Sequence, residues 1–396
     1  MGTMPYDFDE IIDRRGSGCV KYDKTARGVI PLWAADMDFR TPDFILEALR
    51  ARLEHPVLGY PCIPKDYFPT IARWVKALYG WEVDPGHICY VPGVIRGIVL
   101  AQCALLPKGS GVIIQPPVYF SFREQTLMNG MRVLCNPLRE IPGGGYEMDF
   151  DSLEKCISDG GRMLLLSNPQ NPTGQCWSRE TLLRLSKTAS RHGLVVISDE
   201  IHSEMAHRGF SHVPYASVSP EAAASSITFM APSKTFNMAG VVTSYAIVPD
   251  AGLREKFFGF MKAAQLDYPS VFAIEATLAA YRNGARWRRE MLRYVEGNIA
   301  FVCRYLVENI PGIRAVYPQA SFLMWLDCRG LAMDQKELMR LLKIKAKVRV
   351  YDGALFGEGG VGFVRMNVGC PGSTLLKALE SIREAISNSQ EDILQI

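Results

Sequence analysis

Residues 226–240 read Ser-Ile-Thr-Phe-Met-Ala-Pro-Ser-Lys-Thr-Phe-Asn-Met-Ala-Gly, an apolar run that breaks at Pro232 and delivers Lys234 two residues later. Five apolar or β-branched residues bounded by a turn former predict a buried strand. A lysine at the end of such a strand is costly to desolvate, so its position implies a task. The same grammar recurs at 111–115, 132–135, 162–167, 194–198 and 243–248, with amphipathic stretches such as 178–192 between the runs. Strands alternating with helices predict an α/β domain with a mostly parallel sheet. In such sheets ligands bind beyond the carboxyl ends of the strands, so chemistry is sought in the residues that follow each run.

Four strand ends carry unusual residues. The run 162–167 leads into Asn168-Pro-Gln-Asn171-Pro-Thr-Gly174, whose prolines fix the loop and make it a rigid holder for the Asn171 amide. The run 194–198 ends in Asp199-Glu200-Ile201-His202, an acidic pair that needs partners if buried. The run 226–230 ends in Ser233 and Lys234. Val91-Pro-Gly93-Val94-Ile95 precedes a helical stretch to Leu106, and a helix N-terminus is a ready anion site. One cofactor needs all four features. Pyridoxal 5′-phosphate (PLP) requires an aldehyde-capturing lysine, a carboxylate for its pyridine nitrogen, a donor for its ring oxygen and a phosphate cradle. A desolvated lysine beside a cationic ring becomes neutral enough to attack and later to act as a base.

After residue 286 the pattern changes. A helical stretch over 287–309 ends at Pro311-Gly312. It is followed by an apolar run at 321–326, a helix near 334–342 and strand-like segments at 347–350 and 362–368. The expected organisation is an N-terminal segment, 1–45, packing with a small C-terminal α+β domain, 287–396, around a large cofactor-binding domain, 46–286.

Composition narrows the classes. At 396 residues, 48% hydrophobic and 21% charged, the chain can bury a large core. A net charge of +3 and short basic stretches at 286–289 and 343–347 argue against nucleic-acid binding. Ten scattered cysteines lack zinc or redox spacing, so no metal is expected. An acidic, polar Met1–Arg15 and the lack of an apolar run of ~18 residues predict no leader or membrane span, and a cytoplasmic location. Two motifs mislead. Gly357-Glu-Gly-Gly-Val-Gly362 has the dinucleotide spacing but precedes a strand rather than a helix. His202, His207 and His212 recur every five residues, which does not stack them on one helical face.

The stretches at 167–174, 198–202 and 231–240 resemble those of fold-type-I PLP enzymes, the aspartate-aminotransferase superfamily. Pro31-Leu-Trp33-Ala-Ala-Asp-Met-Asp-Phe39, Gly59-Tyr60-Pro61, Gln115-Pro-Pro-Val-Tyr119 and Phe363-Val-Arg365-Met-Asn367 are similar to the PatB/MalY group of carbon–sulfur β-lyases. The resemblance implies a large domain with a mostly parallel seven-stranded sheet and a smaller α+β domain. It implies Lys234 as the Schiff-base lysine and proton carrier, and Asp199 on the pyridine nitrogen. Asn171 would serve the ring oxygen with His202 nearby, and Tyr119 would stack on the ring. Gly93, Val94, Ile95 and Ser233 would hold the phosphate, joined by Tyr60 from the neighbouring subunit of a homodimer. Arg365 would clamp the substrate carboxylate, with Asn171 beside it, and Trp33, Phe120 and Phe322 would line the side-chain end of the pocket.

The implied reaction is α,β-elimination of cystathionine or a related cysteine thioether to a thiol, pyruvate and ammonia. Transamination on the same fold is the alternative, and a MalY-like regulatory binding role is a further one. Many aminotransferases of the superfamily place an arginine eight residues after the lysine, where this chain has Val242, which supports the lyase side. Phe120 stands where some lyases carry a second tyrosine.

Overall fold

A computed structural model describes residues 6–394. Its large sheet has seven strands: β1 Ile88–Val91, β2 Gly111–Ile114, β3 Arg132–Cys135, β4 Gly161–Ser167, β5 Val195–Asp199, β6 Ser226–Met230 and β7 Ser244–Ile247. Their spatial order is β1-β7-β6-β5-β4-β2-β3. The β2–β3, β2–β4, β4–β5 and β5–β6 pairs are parallel, and β7 runs antiparallel to both β1 and β6. Sequence patterning marks six of these strands. The seventh, β1, is a fully buried four-residue Ile-Cys-Tyr-Val run that ends directly at the Pro92-Gly93 turn, which in the sequence signals only the approach to the following helix.

Burial on both faces explains the near-continuous apolar strands. Ile113, Leu164, Leu166 and Val196 face one core, and Val112, Leu165, Ile197 and Phe229 face the other. Each such side chain contributes roughly 1.5–3 kcal/mol of transfer free energy. The helix Val94–Leu105 lies hard against the sheet at Gly97. A methyl group there would sit 2.6 Å from the Phe229 ring and 2.7 Å from Val91 Cγ1. That contact fixes where the first turn of the helix points.

The smaller domain carries an antiparallel sheet ordered Arg314–Val316, Leu323–Asp327, Phe363–Asn367, Tyr351–Asp352, alongside the helices Ala285–Asn309 and Gly372–Leu394. Ile30–Pro31 pairs in parallel with Val348–Arg349 of this domain. Leu32 N–H then donates to Arg349 O, and Leu32 O accepts from Asn367 N–H. The helix Gln335–Arg340 continues through a π turn over Leu341–Lys345. The glycine-rich 357–362 segment leads directly into the strand Phe363–Asn367, an arrangement unlike a dinucleotide site.

Candidate active site

The loops that follow β1, β2, β4, β5 and β6 open into one cavity of about 1010 Å³. Gly93, Val94, Ile95, Tyr119, Asn171, Asp199, His202, Ser233 and Lys234 all line it, joined by Trp33 and Arg365 from outside the large sheet. Loop chemistry sets these positions. Gln170 Nε2 donates to Pro117 O at 2.9 Å, which ties the Asn171 loop to the loop bearing Tyr119. Ser167 Oγ accepts from the Asn171 N–H at 3.1 Å. The turn around Lys234 closes through Phe236 N–H to Pro232 O and Met238 N–H to Ser233 O, both 2.9 Å.

The two adjacent carboxylates have opposite fates. Glu200 is saturated: its Oε1 accepts from Ser198 Oγ (2.8 Å) and Tyr215 N–H (2.9 Å), and its Oε2 lies 2.7 Å from His212 Nε2. Asp199 faces the cavity and, among the described residues, accepts only the Ile201 N–H, at 3.1 Å. Burial pushes its pKa up to about 7, against that N–H and the pull of Lys234, with Glu200 adding to the rise. A cationic ring nitrogen is the partner such a carboxylate lacks. Lys234 Nζ donates to Ala35 O at 2.6 Å. Burial pushes its pKa down to about 8, with Asp36 and Asp199 opposing and Arg365 assisting.

Arg365 is fully buried. It donates to Asn171 Oδ1 (2.8 Å) and Trp33 O (3.2 Å), stands over the Tyr351 ring at 4.7 Å, and keeps an unpartnered Nε. Its bond to Asn171 occupies the amide oxygen and leaves the amide nitrogen as that side chain's donor. His202 Nδ1 pairs with Ser321 Oγ at 3.0 Å. Burial, Lys234 and Arg365 push its pKa down to about 3, so the ring is neutral. His207 Nε2 instead meets Ser321 O, and His212 meets Glu200. Among the described residues no cluster of three or more such groups could hold a metal ion.

Two sequence expectations change, those for Gly93 and for the two phenylalanines. The Gly93 N–H is already bonded to Val91 O (2.8 Å) and Ser244 Oγ (3.0 Å), so Gly93, at φ 104°, supplies the turn rather than an anion donor. The N–H groups that begin the helix, from Val94 onward, are those without an intrahelical acceptor. Phe120 and Phe322 stand behind the cavity wall, Phe120 packed on Tyr351 and Phe356, and Phe322 beside His202. Tyr60 lies outside the cavity and is fully exposed, near exposed Val57 and Leu58.

Of the N-terminal segment, sequence reasoning placed only Trp33 in the pocket and missed the charged residues around it. Arg14, Lys21, Asp36 and Asp38 line the cavity, with Arg14 paired to Asp36 and Asp38 and Lys21 2.9 Å from Asp38. The only signal was two aspartates in the otherwise apolar stretch 31–39. The donor set as a whole fits a group with an aldehyde, a ring nitrogen that becomes cationic and an anionic tail. Lys234, Asp199 and the helix N-terminus meet those three ends.

Comparison with known proteins agrees. The family Aminotransferase class I and II matches residues 27–382. The cystathionine beta-lyase PatB of Bacillus subtilis (strain 168) is 40% identical over 387 residues, covering 96% of this chain and 100% of PatB. The protein MalY of Escherichia coli (strain K12) is 32% identical, covering 96% and 99%. The crystal structure of cystalysin from Treponema denticola, which contains pyridoxal 5′-phosphate, superposes with a TM-score of 0.93 at 30% identity, covering 97% and 100%.

Proposed function

The chain belongs to the aminotransferase class I and II family as a fold-type-I PLP enzyme related to PatB and MalY, and on that premise we propose that it is a carbon–sulfur β-lyase acting on cystathionine or a similar cysteine thioether. PLP is its cofactor. The observation that carries the reading is Lys234, a buried amine lowered to about 8 that shares one cavity with the uncompensated Asp199 carboxyl and with Arg365.

When bound, the cofactor supplies an electron sink for the bond broken at the substrate α-carbon. Lys234 holds the cofactor and later takes the α-proton on Nζ. Asp199 would keep positive charge on the ring nitrogen, Tyr119 would pack against the ring and Asn171 would donate to the ring oxygen. The Val94 and Ile95 N–H groups and Ser233 would hold the phosphate. Arg365 clamps the substrate carboxylate through its unused donors. His202, neutral, adds polarity without charge, and Trp33 walls the substrate side. With the α-proton held on Lys234, the β-substituent departs as a thiolate, and the remaining fragment hydrolyses to pyruvate and ammonia.

Two facts support elimination over transamination. Val242 lines the cavity where many aminotransferases carry a phosphate-binding arginine, and the PatB relative is named a cystathionine beta-lyase. The family description favours the second reading, an aminotransferase. Incubation with cystathionine and no 2-oxo acid separates them: sustained pyruvate release supports the lyase, and turnover that requires an added acceptor overturns it. The exposed stretch around Tyr60 supports a homodimer in which Tyr60 reaches the partner's phosphate site. In that case Tyr60→Phe weakens cofactor retention, measured by dialysis.

A further inference from the structure

The stretch 33–39 forms a strap along the cavity lining, and side chains from three parts of the chain seize its carbonyls. Trp33 O accepts from Arg365 (3.2 Å), Ala34 O and Asp36 O from Asn367 Nδ2 (2.5 and 2.8 Å), and Ala35 O from Lys234 (2.6 Å). Asp36 O also accepts from Lys21 (3.0 Å), Met37 O from Arg14 (2.9 Å) and Asn237 (3.0 Å), and Phe39 O from Asn237 (2.6 Å). The substrate-facing arginine and the cofactor lysine are thus tied to carbonyls two residues apart. A single charged side chain follows directly on the carbonyl that holds Lys234. Asp36 is held at Oδ2 by Arg14, while its Oδ1 accepts no bond among the described residues.

We propose that Asp36 is a positioning residue for Lys234: the strap's Ala35 carbonyl holds the lysine's free ammonium, and the Asp36 carboxylate sets how readily that nitrogen gives and takes a proton. The proposal rests on Lys234 being the cofactor lysine and is indifferent to whether elimination or transamination follows. The charged and titratable groups acting on Lys234 are Asp36 and Asp199, which favour the ammonium, and Arg365, which opposes it; neutral His202 also shares the cavity. Asp36 is the larger of the two favourable influences. With Asp199 committed to the cofactor ring, Asp36 becomes the carboxylate left to balance Lys234 each time the lysine is released. Three positive charges keep Asp36 ionised: burial acts against it, but Lys21, Arg14 and Lys234 itself hold its pKa below the ordinary value.

The neutral variant is structurally mild. Asp36→Asn leaves Arg14 on Asp38 and Met37 O, and Lys21 on Asp38 and the residue-36 carbonyl. The test is cofactor capture by the apoenzyme across pH, read from the visible absorption of the bound cofactor. Only the neutral amine captures the aldehyde, so capture by the native chain rises through a midpoint near about 8. Asp36→Asn is expected to move that midpoint to lower pH by about one unit, making capture about tenfold faster on the acid side. Asp36→Glu restores the native midpoint. Arg14→Gln loosens the strap but keeps the carboxylate, and is expected to give no acid shift.

An unmoved midpoint in Asp36→Asn overturns the proposal, even if activity falls. An equal acid shift in Arg14→Gln also overturns it, because strap order rather than charge would then be the cause. Should Asp36→Asn not fold, Asp36→Ser gives the same reading. Failure of the native apoenzyme to capture the cofactor at all would strike the cofactor assignment instead, and so is distinguishable.

Discussion

The carboxyl edge of the large sheet and the N-terminal strap meet across one cavity, yet they are built on opposite principles. At the sheet edge, Asp199 and Lys234 are buried with few partners and perturbed pKa values. In the strap, the carbonyls of residues 33–37 and 39 all have side-chain donors. Groups that must exchange protons are left under-satisfied, and the frame that aims them is saturated. Substitutions at the edge should therefore remove activity with little loss of stability, whereas substitutions in the strap's anchors should remove stability first.

The largest effect is expected from Lys234→Ala, which should abolish the bound-cofactor absorption and lower thiol release by about 10³-fold or more, with the thermal midpoint of the apoprotein unchanged or raised. Asp199→Asn should lower turnover by about 100-fold. It should also alter the apoprotein's pH response in a defined direction. The folded-state pKa of Asp199, about 7, lies above the ordinary 3.8, so its stabilising contribution is present at low pH and is lost as pH rises through about 7. Thermal unfolding of the apoprotein should show that decline in the native chain and a flatter profile in Asp199→Asn. Asn367→Ala, on the strap side, should cost about 2–3 kcal/mol in denaturant unfolding, because Ala34 O loses its donor, Asp36 O keeps only Lys21, and the Gly369 N–H loses its acceptor. Its cofactor absorption should survive. Smallest is Glu200→Gln, which keeps the fold's hydrogen bonds to Ser198 and Tyr215 but weakens the contact with His212, with turnover within about threefold of native.

The same contrast explains what the sequence revealed. Lys234, Asp199 and Asn171 were legible because each follows an apolar run, and parallel sheets gather such ends at one place. Strand β1, buried like β2 and β7, escaped because it ends directly at Pro92-Gly93, a turn that signals only the start of the helix that follows. The strap, Trp33 apart, escaped for a different reason. Its contribution to the site is mostly backbone carbonyl, which any residue supplies, and its partners lie about 200 and 330 positions away in sequence. Gly93 misled because a glycine turn and an anion loop use the same permissive backbone, and only the bonds to Val91 and Ser244 tell them apart. Phe120 and Phe322 lie near the cavity without lining it, a distinction that depends on side-chain direction rather than order along the chain.

The most direct measurement is the amount of thiol released from cystathionine per cofactor site with no 2-oxo acid present. The proposed carbon–sulfur β-lyase activity releases many equivalents, with pyruvate appearing in step with thiol. A reaction that yields no thiol and halts after one equivalent of amino-group transfer to the cofactor would contradict it.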